Sequence, residues 1–347
     1  MKTPATPKEL GKEYVQQGEK ELFAEFVSEM KAQVDRMYEH KFMKRQVHTK
    51  MHGCVKATLT VMENLPENLK IGVFSEVRSY DCWVRFSNAS TVPKPDAKKD
   101  IRGCAIKLLN VPGEKLLEGL KQETTQDFLL MSSETFFSKS VEEFKGLMKA
   151  ATAPSKFPLL IYFLNPKHWS LLKRFRKSNS VCDNPLSIPY WSTQPYRFGA
   201  NDKAVKYLLR PTAENQIINE NFEDDNYLQV NLAQTLNSNS ATFDFCVQFQ
   251  QNAETMPIED PTVPWKSPFK KIATLVIQPQ HFTSPEQQAF GENLSFNPWH
   301  SLPEHRPLGG FNRARKVAYI EMSRYRHSKN HERMVEPSVA QFKQKQT

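Results

Sequence analysis

Glycine is scarce in this chain, twelve in 347 residues, and none of them builds a glycine-rich loop. A loop that cradles phosphate needs clustered glycines so that main-chain N–H groups can approach the anion, so nucleotide binding of that kind has no support. A G-x-S-x-G elbow is missing too, which removes the usual serine-hydrolase arrangement. Cysteine is equally sparse. Cys54, Cys82, Cys104, Cys182 and Cys246 stand far apart without a C-x-x-C pair, so neither a zinc ribbon nor a disulfide framework is indicated. The longest apolar run, "FPLLIYFL", falls far short of the ~20 residues that span a bilayer. The opening residues, "MKTPATPKEL", lack the apolar core of a signal peptide. The expected compartment is a reducing cytoplasm. Basic residues are not interleaved with aromatics in an RNA-recognition pattern, so nucleic acid is not an expected partner.

What is present argues for a packed core. Hydrophobic residues make up 39% and aromatics 11% of the chain, with 23 Phe, well above what a disordered chain carries. The formal net charge of +9 fits either a soluble basic surface or an anionic partner: nucleic acid, a membrane surface or a carboxylate-bearing ligand. Leu22, Phe23, Phe26, Val27, Met30, Val34 and Met37 recur at helical spacing and predict a helix over 7–40. From residue 48 the period drops to two. "VKATLTV", "DCWVRFS", "YLQVNLAQT", "ATFDFCVQFQ" and "KKIATLVIQPQ" read as strands, separated by breaks rich in Pro, Asn and Asp. Many such strands predict an antiparallel barrel or sandwich. Helical patterning returns at 140–152 and after about 310.

Three stretches carry chemistry. "KRQVHTKMHG" places His48 and His52 four residues apart, a metal-binding spacing on a helix. Thr49 stands where a zinc protease has its Glu, and the segment leads into a strand, so a metal pair is not expected. In "RARKVAYIEMSRYRH" Arg315, Tyr319, Met322 and Arg326 share one helical stripe. That stripe is either a solvated basic face or a Tyr whose phenolate form is favoured by the neighbouring guanidinium. A tyrosinate is a ligand for ferric haem. In "DCWVRFSNAS", Arg85 and Ser87 fall on one strand face, suiting a carboxylate partner and a neighbouring polar ring.

Taken in order, these stretches resemble the catalase superfamily, in particular its shorter catalase-related members, from about residue 40 to 330. "RQVHTK" resembles the distal-histidine segment, which implies His48 as the acid–base residue and Arg45 as a haem-propionate partner. "VRFS" is similar to the strand carrying a second propionate Arg and the Ser that orients the histidine, here Arg85 and Ser87. "DIRGCAIKL" resembles the family's Asp-Pro-Arg-Gly segment, with Ile101 for Pro. "QDFLLMSSETFF" stands in the place of the distal Asn and its paired Phe. The Asn is missing there: Met131 takes its position, Ser132 is the candidate substitute, and Phe136 belongs to the pair. Phe157 resembles the Phe that packs on the distal haem face, which would make "FPLLIYFL" part of the haem wall. "ENLSFNPWH" and the segment beyond it resemble the approach to the proximal helix. There Tyr319 is the implied iron ligand, with Arg315 beside it and Arg326 as a further propionate partner.

The resemblance implies an α+β fold: a catalase-like antiparallel β-barrel with an N-terminal helical arm (1–40) and C-terminal helices including the ligand helix. Within a single domain (41–347) the barrel would run to about 280 and the helical part from about 281 to 335. It also implies haem b (iron) as cofactor and a small-molecule peroxide as substrate, handled as by a catalase or peroxidase. Val47, ahead of the distal histidine, is as in catalases. Alternatives on the same scaffold are a fatty-acid hydroperoxide isomerase or lyase, and a non-catalytic haem carrier or sensor. A homo-oligomer and peripheral membrane contact are compatible with it, and a transmembrane segment is not expected.

Overall fold

The computed structural model describes residues 7–155 and 157–344. Nine strands run β1 Lys50–Val61, β2 Ser79–Asn88, β3 Arg102–Leu108, β4 Gln126–Met131, β5 Tyr190–Trp191, β6 Tyr196–Phe198, β7 Ala200–Pro211, β8 Ala241–Phe249 and β9 Phe269–Ile277. Their order is β5-β4-β3-β2-β1-β9-β8-β7-β6, all antiparallel, and β5 also pairs with β7. That pairing closes eight strands into a barrel and leaves β6 alongside β7. The alternation seen in the sequence sets the inward face: Val55, Ala57, Leu59 and Val61 of β1 are all buried. Aromatic rings fill the centre, with Phe128 meeting Tyr207 and Phe245 edge-on, each at 5.1 Å. A barrel of this size packed with side chains has no lumen to offer a ligand. Any site must lie on its outer wall.

The helices are α1 Glu19–Met37, α2 Val141–Ala151, α3 Phe157–Leu164, α4 Trp169–Ser178, α5 Tyr227–Ser238, α6 Pro285–Asn293, α7 Gly310–Lys329 and α8 Val339–Lys343. No helix among the described residues is long and apolar enough to cross a membrane. The first helix starts later than the pattern over 7–40 suggests. Gly18, at φ 78°, sits immediately ahead of it, and Gly11 (φ 68°) packs so closely on Asn201 that a side chain there would collide with the main chain. "YLQVNLAQT" also departs from expectation: it belongs to α5, not to a strand. Its Leu228, Leu232 and Leu236 are fully buried at i, i+4, i+8, so the apolar pattern serves a helical face as well as an extended one.

α7 is fixed along α1. Arg313 meets Glu13 at 2.7 Å, Glu19 at 2.6 Å and Glu259 at 3.1 Å. Glu13 and Glu259 also accept the Gly309 and Gly310 N–H groups, which places two carboxylates at the positive end of the helix dipole. All five cysteines are free and buried.

Candidate functional site

A cavity with about 1000 Å³ of space free of protein atoms opens between the barrel wall, α1 and α7. Alternate residues of three strands face it: Arg85 and Ser87 of β2, Gly103 and Ala105 of β3, Leu129 and Met131 of β4. From α7 come Arg315, Tyr319, Met322, Ser323 and Arg326, the stripe expected from their spacing. Arg45 and His48 enter from the segment before β1. Seven sequence candidates therefore share one space: His48, Ser87, Arg45, Arg85, Arg315, Tyr319 and Arg326.

His48 is held from several sides. Its Nδ1 lies 3.0 Å from Ser87 Oγ, and its main-chain carbonyl accepts from Arg85 Nη2 at 3.1 Å. The backbone is left-handed at φ 59°, an uncommon conformation for a non-glycine residue. Gly103 pairs across the sheet with Ser87, and a Cβ there would run into the His48 ring and come within 2.9 Å of Ser87 Oγ. Glycine thus makes the recess in which the imidazole rests. Burial, followed by the charges of Arg85, Arg315 and Arg45, pushes the His48 pKa down to about 3. At neutral pH the ring is uncharged and able to take a proton.

The arginines converge on one carboxylate. Arg45 Nη1 is 3.1 Å from Glu292 Oε2, and Arg85 Nη2 is 3.5 Å from Oε1. Arg326 Nη1 donates to the Glu292 carbonyl at 2.8 Å, and Arg45 also donates to the Gly291 and Leu294 carbonyls. Burial alone would raise the Glu292 pKa, but Arg85, Arg45, Lys44 and Arg326 together hold it below the usual range. Arg45 and Arg85 pair with the carboxylate and Arg326 with its main-chain carbonyl, so guanidiniums outnumber carboxylates in this cluster. Burial and Arg85 press Arg326 down to about 10 against the pull of Glu292, the sign of a cation group short of anions.

Tyr319 is half-buried, and its hydroxyl has no hydrogen-bond partner among the described residues. A second cavity of about 500 Å³ touches the same side chain and is lined by Asp127, His300 and Glu336. Asp127 and Glu336 meet the buried Lys107 at 2.7 and 2.8 Å.

Three candidates lie elsewhere. Ser132 does not reach the cavity: its Oγ accepts from the Arg102 N–H at 2.8 Å, while Met131 takes the place on the wall. Ser133 is likewise spent on the Thr135 carbonyl and Ser178. Phe136 is buried behind the cavity, stacked on Phe137 at 4.5 Å and edge-on to Phe311 at 4.7 Å. Phe157 is 66% exposed at the start of α3, so neither it nor "FPLLIYFL" walls the cavity. That apolar run looked like interior because hydropathy says nothing about which way a helix faces. His52 is buried on Asn88 at 2.7 Å, with the Asp96 carboxylate 4.0 Å from its Nδ1; no cluster of three or more metal-ligating residues occurs among the described residues. Sequence reasoning missed Gly103 and Glu292. A glycine inside the strand "IRGCAIKL" is a signal of close approach; Glu292 carries no local signal.

No protein-family model and no curated protein sequence matches the chain. Solved structures do match. A fungal catalase superposes with a TM-score of 0.65 at 16% identity, covering 94% of this chain and 66% of its own. Catalase A from Saccharomyces cerevisiae gives 0.63 at 16% identity, covering 94% and 68%. A bacterial catalase gives 0.58 at 14% identity, covering 97% and 67%. The fold is that of the catalases. The chain spans about two thirds of the length of these catalases.

A haem group is the natural test of this catalase-fold cavity. The donor set fits it: one unpaired phenol on a helix for iron, guanidiniums in surplus for carboxylates, and an uncharged imidazole across the same space. The buried Arg85 Nε, which has no hydrogen-bond partner, points to the same conclusion, because such a donor is costly unless an acceptor arrives.

Proposed function

We propose that the chain is a haem-dependent peroxide-metabolising enzyme, with Tyr319 as iron ligand, His48 as acid–base residue and Arg45, Arg85 and Arg326 as propionate partners. The observation that carries the reading is the placement of His48 and Tyr319 on one cavity. The imidazole is anchored at Nδ1 by Ser87 and recessed on Gly103. Haem bound there would supply the electrons that break the O–O bond. His48 would take the proton from the near peroxide oxygen at Nε2 and deliver it to the far one, acting as base and then acid. Its depressed pKa keeps Nε2 free to accept. Ser87 would fix the ring plane, and Arg315 stands one turn from Tyr319 on the same cavity wall.

Met131 bears on the substrate. It stands on the wall where a catalase resemblance puts an amide, among Met30, Met43, Val47, Leu129 and Phe296. An apolar wall offers no hydrogen bond to hydrogen peroxide and suits the tail of an organic hydroperoxide. Isomerisation or cleavage of a fatty-acid hydroperoxide is thus the second reading on the same residues.

Haem-loaded protein assayed against hydrogen peroxide, an alkyl hydroperoxide and a fatty-acid hydroperoxide tests this. We expect consumption of at least one organic hydroperoxide in preference to hydrogen peroxide. Inertness toward all three at full haem loading would leave a haem-binding protein without the activity.

A further inference from the structure

α3 and α4 present a face that the site does not use. Seventeen large apolar side chains are exposed among the described residues, and five of them fall between 157 and 169: Phe157, Leu160, Ile161, Leu164 and Trp169. The first four stand at i, i+3, i+4 and i+7, a single outward stripe of α3. The opposite side of that helix is occupied already, because Leu159, Tyr162 and Phe163 pack on the apolar cluster that also holds Phe136, Phe311 and Tyr319. Among the described residues the stripe is therefore unpartnered. Its far end is tied by two contacts. Trp169 Nε1 donates to the Phe163 carbonyl at 3.0 Å, and Tyr162 stacks on His168 at 3.8 Å.

Charge on this segment has one sign. Residues 157–178 carry Lys167, Lys173, Arg174, Arg176 and Lys177 and no Asp or Glu. Arg174 is committed to Glu143 at 3.1 Å. The other four are exposed and form no ion pair among the described residues. Exposed aliphatic and Trp side chains followed within one short segment by exposed cations, with no acid among them, are the pattern of a segment that lies in a bilayer interface. The apolar stripe would enter the acyl boundary, and Trp would sit at headgroup level. Eight helical residues are too few to cross. A second copy of the chain fits poorly. A two-fold contact would set this face against itself and bring eight unpaired cations together without one acid between them (2 × 4).

We propose that α3 and α4 dock the protein on an anionic lipid surface, with Phe157, Leu160, Ile161, Leu164 and Trp169 inserted and Lys167, Lys173, Arg176 and Lys177 on the headgroups. This holds whatever reaction the cavity performs. The test is flotation of the full chain with vesicles of phosphatidylcholine alone and with about a third phosphatidylserine, for wild type, the Leu160→Ser/Ile161→Ser variant and the Lys173→Gln/Lys177→Gln variant. The altered side chains face solvent, and an unchanged thermal transition checks that each variant folds. We expect binding to the anionic vesicles only. The apolar variant should lose it, and the charge variant should weaken it roughly 30-fold, at about 1 kcal/mol per cation. Absence of binding to anionic vesicles, or equal binding by all three proteins, overturns the proposal. So does a wild-type oligomer that either variant dissociates, which would make a second copy the occupant.

Discussion

His48 Nδ1 lies 3.0 Å from Ser87 Oγ, and the glycine opposite Ser87 in the neighbouring strand leaves the space that the imidazole fills. The pair sets the ring by one hydrogen bond and one steric recess, so its two halves can be tested separately. Replacing His48 by Ala in haem-loaded protein should lower kcat/KM for peroxide by about 10²–10⁴, the usual contribution of a positioned acid–base group. Ser87→Ala should cost about tenfold, equivalent to one hydrogen bond of ~1.4 kcal/mol. Steady-state peroxide consumption measures both.

Gly103→Ala should harm the protein beyond its size. The added methyl meets the His48 ring and stands 2.9 Å from Ser87 Oγ. We expect a loss of about 1–3 kcal/mol in urea unfolding. Peroxide turnover should fall at least as far as in Ser87→Ala.

Glu292 is the carboxylate that Arg45 and Arg85 share, with Arg326 on its main-chain carbonyl. Glu292→Gln should therefore destabilise the haem-free protein by about 3 kcal/mol, because buried guanidiniums lose their counter-charge. Haem carboxylates would restore that charge. The shift in thermal midpoint on adding haem should be larger for this variant than for wild type, and an equal shift would show that the arginines do not receive the propionates.

Stability and activity should respond differently to acid. Burial pushes His48, His300 and His305 down to about 3 and His52 to about 4. These rings bind a proton in the unfolded chain below ~6.5 but not in the folded one. The stability present above pH 6.5 is therefore lost as pH falls toward 3, by up to about 2 kcal/mol per histidine at pH 5. Asp127, raised by burial to about 7, works in the opposite sense below pH 7, one group against four. Urea midpoints at pH 7 and 5 should show the net fall. Over the same range kcat/KM should stay level, because His48 remains uncharged.

The sequence made the barrel legible where burial is one-sided. β1 alternates over Val55–Val61, β8 over Ala241–Phe245 and β9 over Ala273–Ile277, where one face packs on the aromatic centre and the other is less buried. It misled at α5, where leucines spaced by four also fall on alternate residues. It misled again at α3, whose apolar residues sit on both faces of a helix with only one side covered. Within the site, His48, Tyr319 and the arginines, singled out by their own side-chain chemistry, do line one cavity. Gly103 was passed over although a glycine inside a strand signals close approach, and Glu292 carries no local signal because it meets Arg45 from 247 positions away. Ser132 and Phe157 failed for a related reason. Adjacency along the chain does not say which neighbour points into the cavity, and Met131 does so in place of Ser132.

The central claim is that the Tyr319 phenolate binds iron. Absorption spectra of wild type and Tyr319→Phe, each mixed with ferric haem, test it directly. We predict haem bands characteristic of phenolate ligation in wild type, and their loss or strong displacement in Tyr319→Phe while the variant keeps its fold by circular dichroism. Identical spectra from the two proteins would contradict the account.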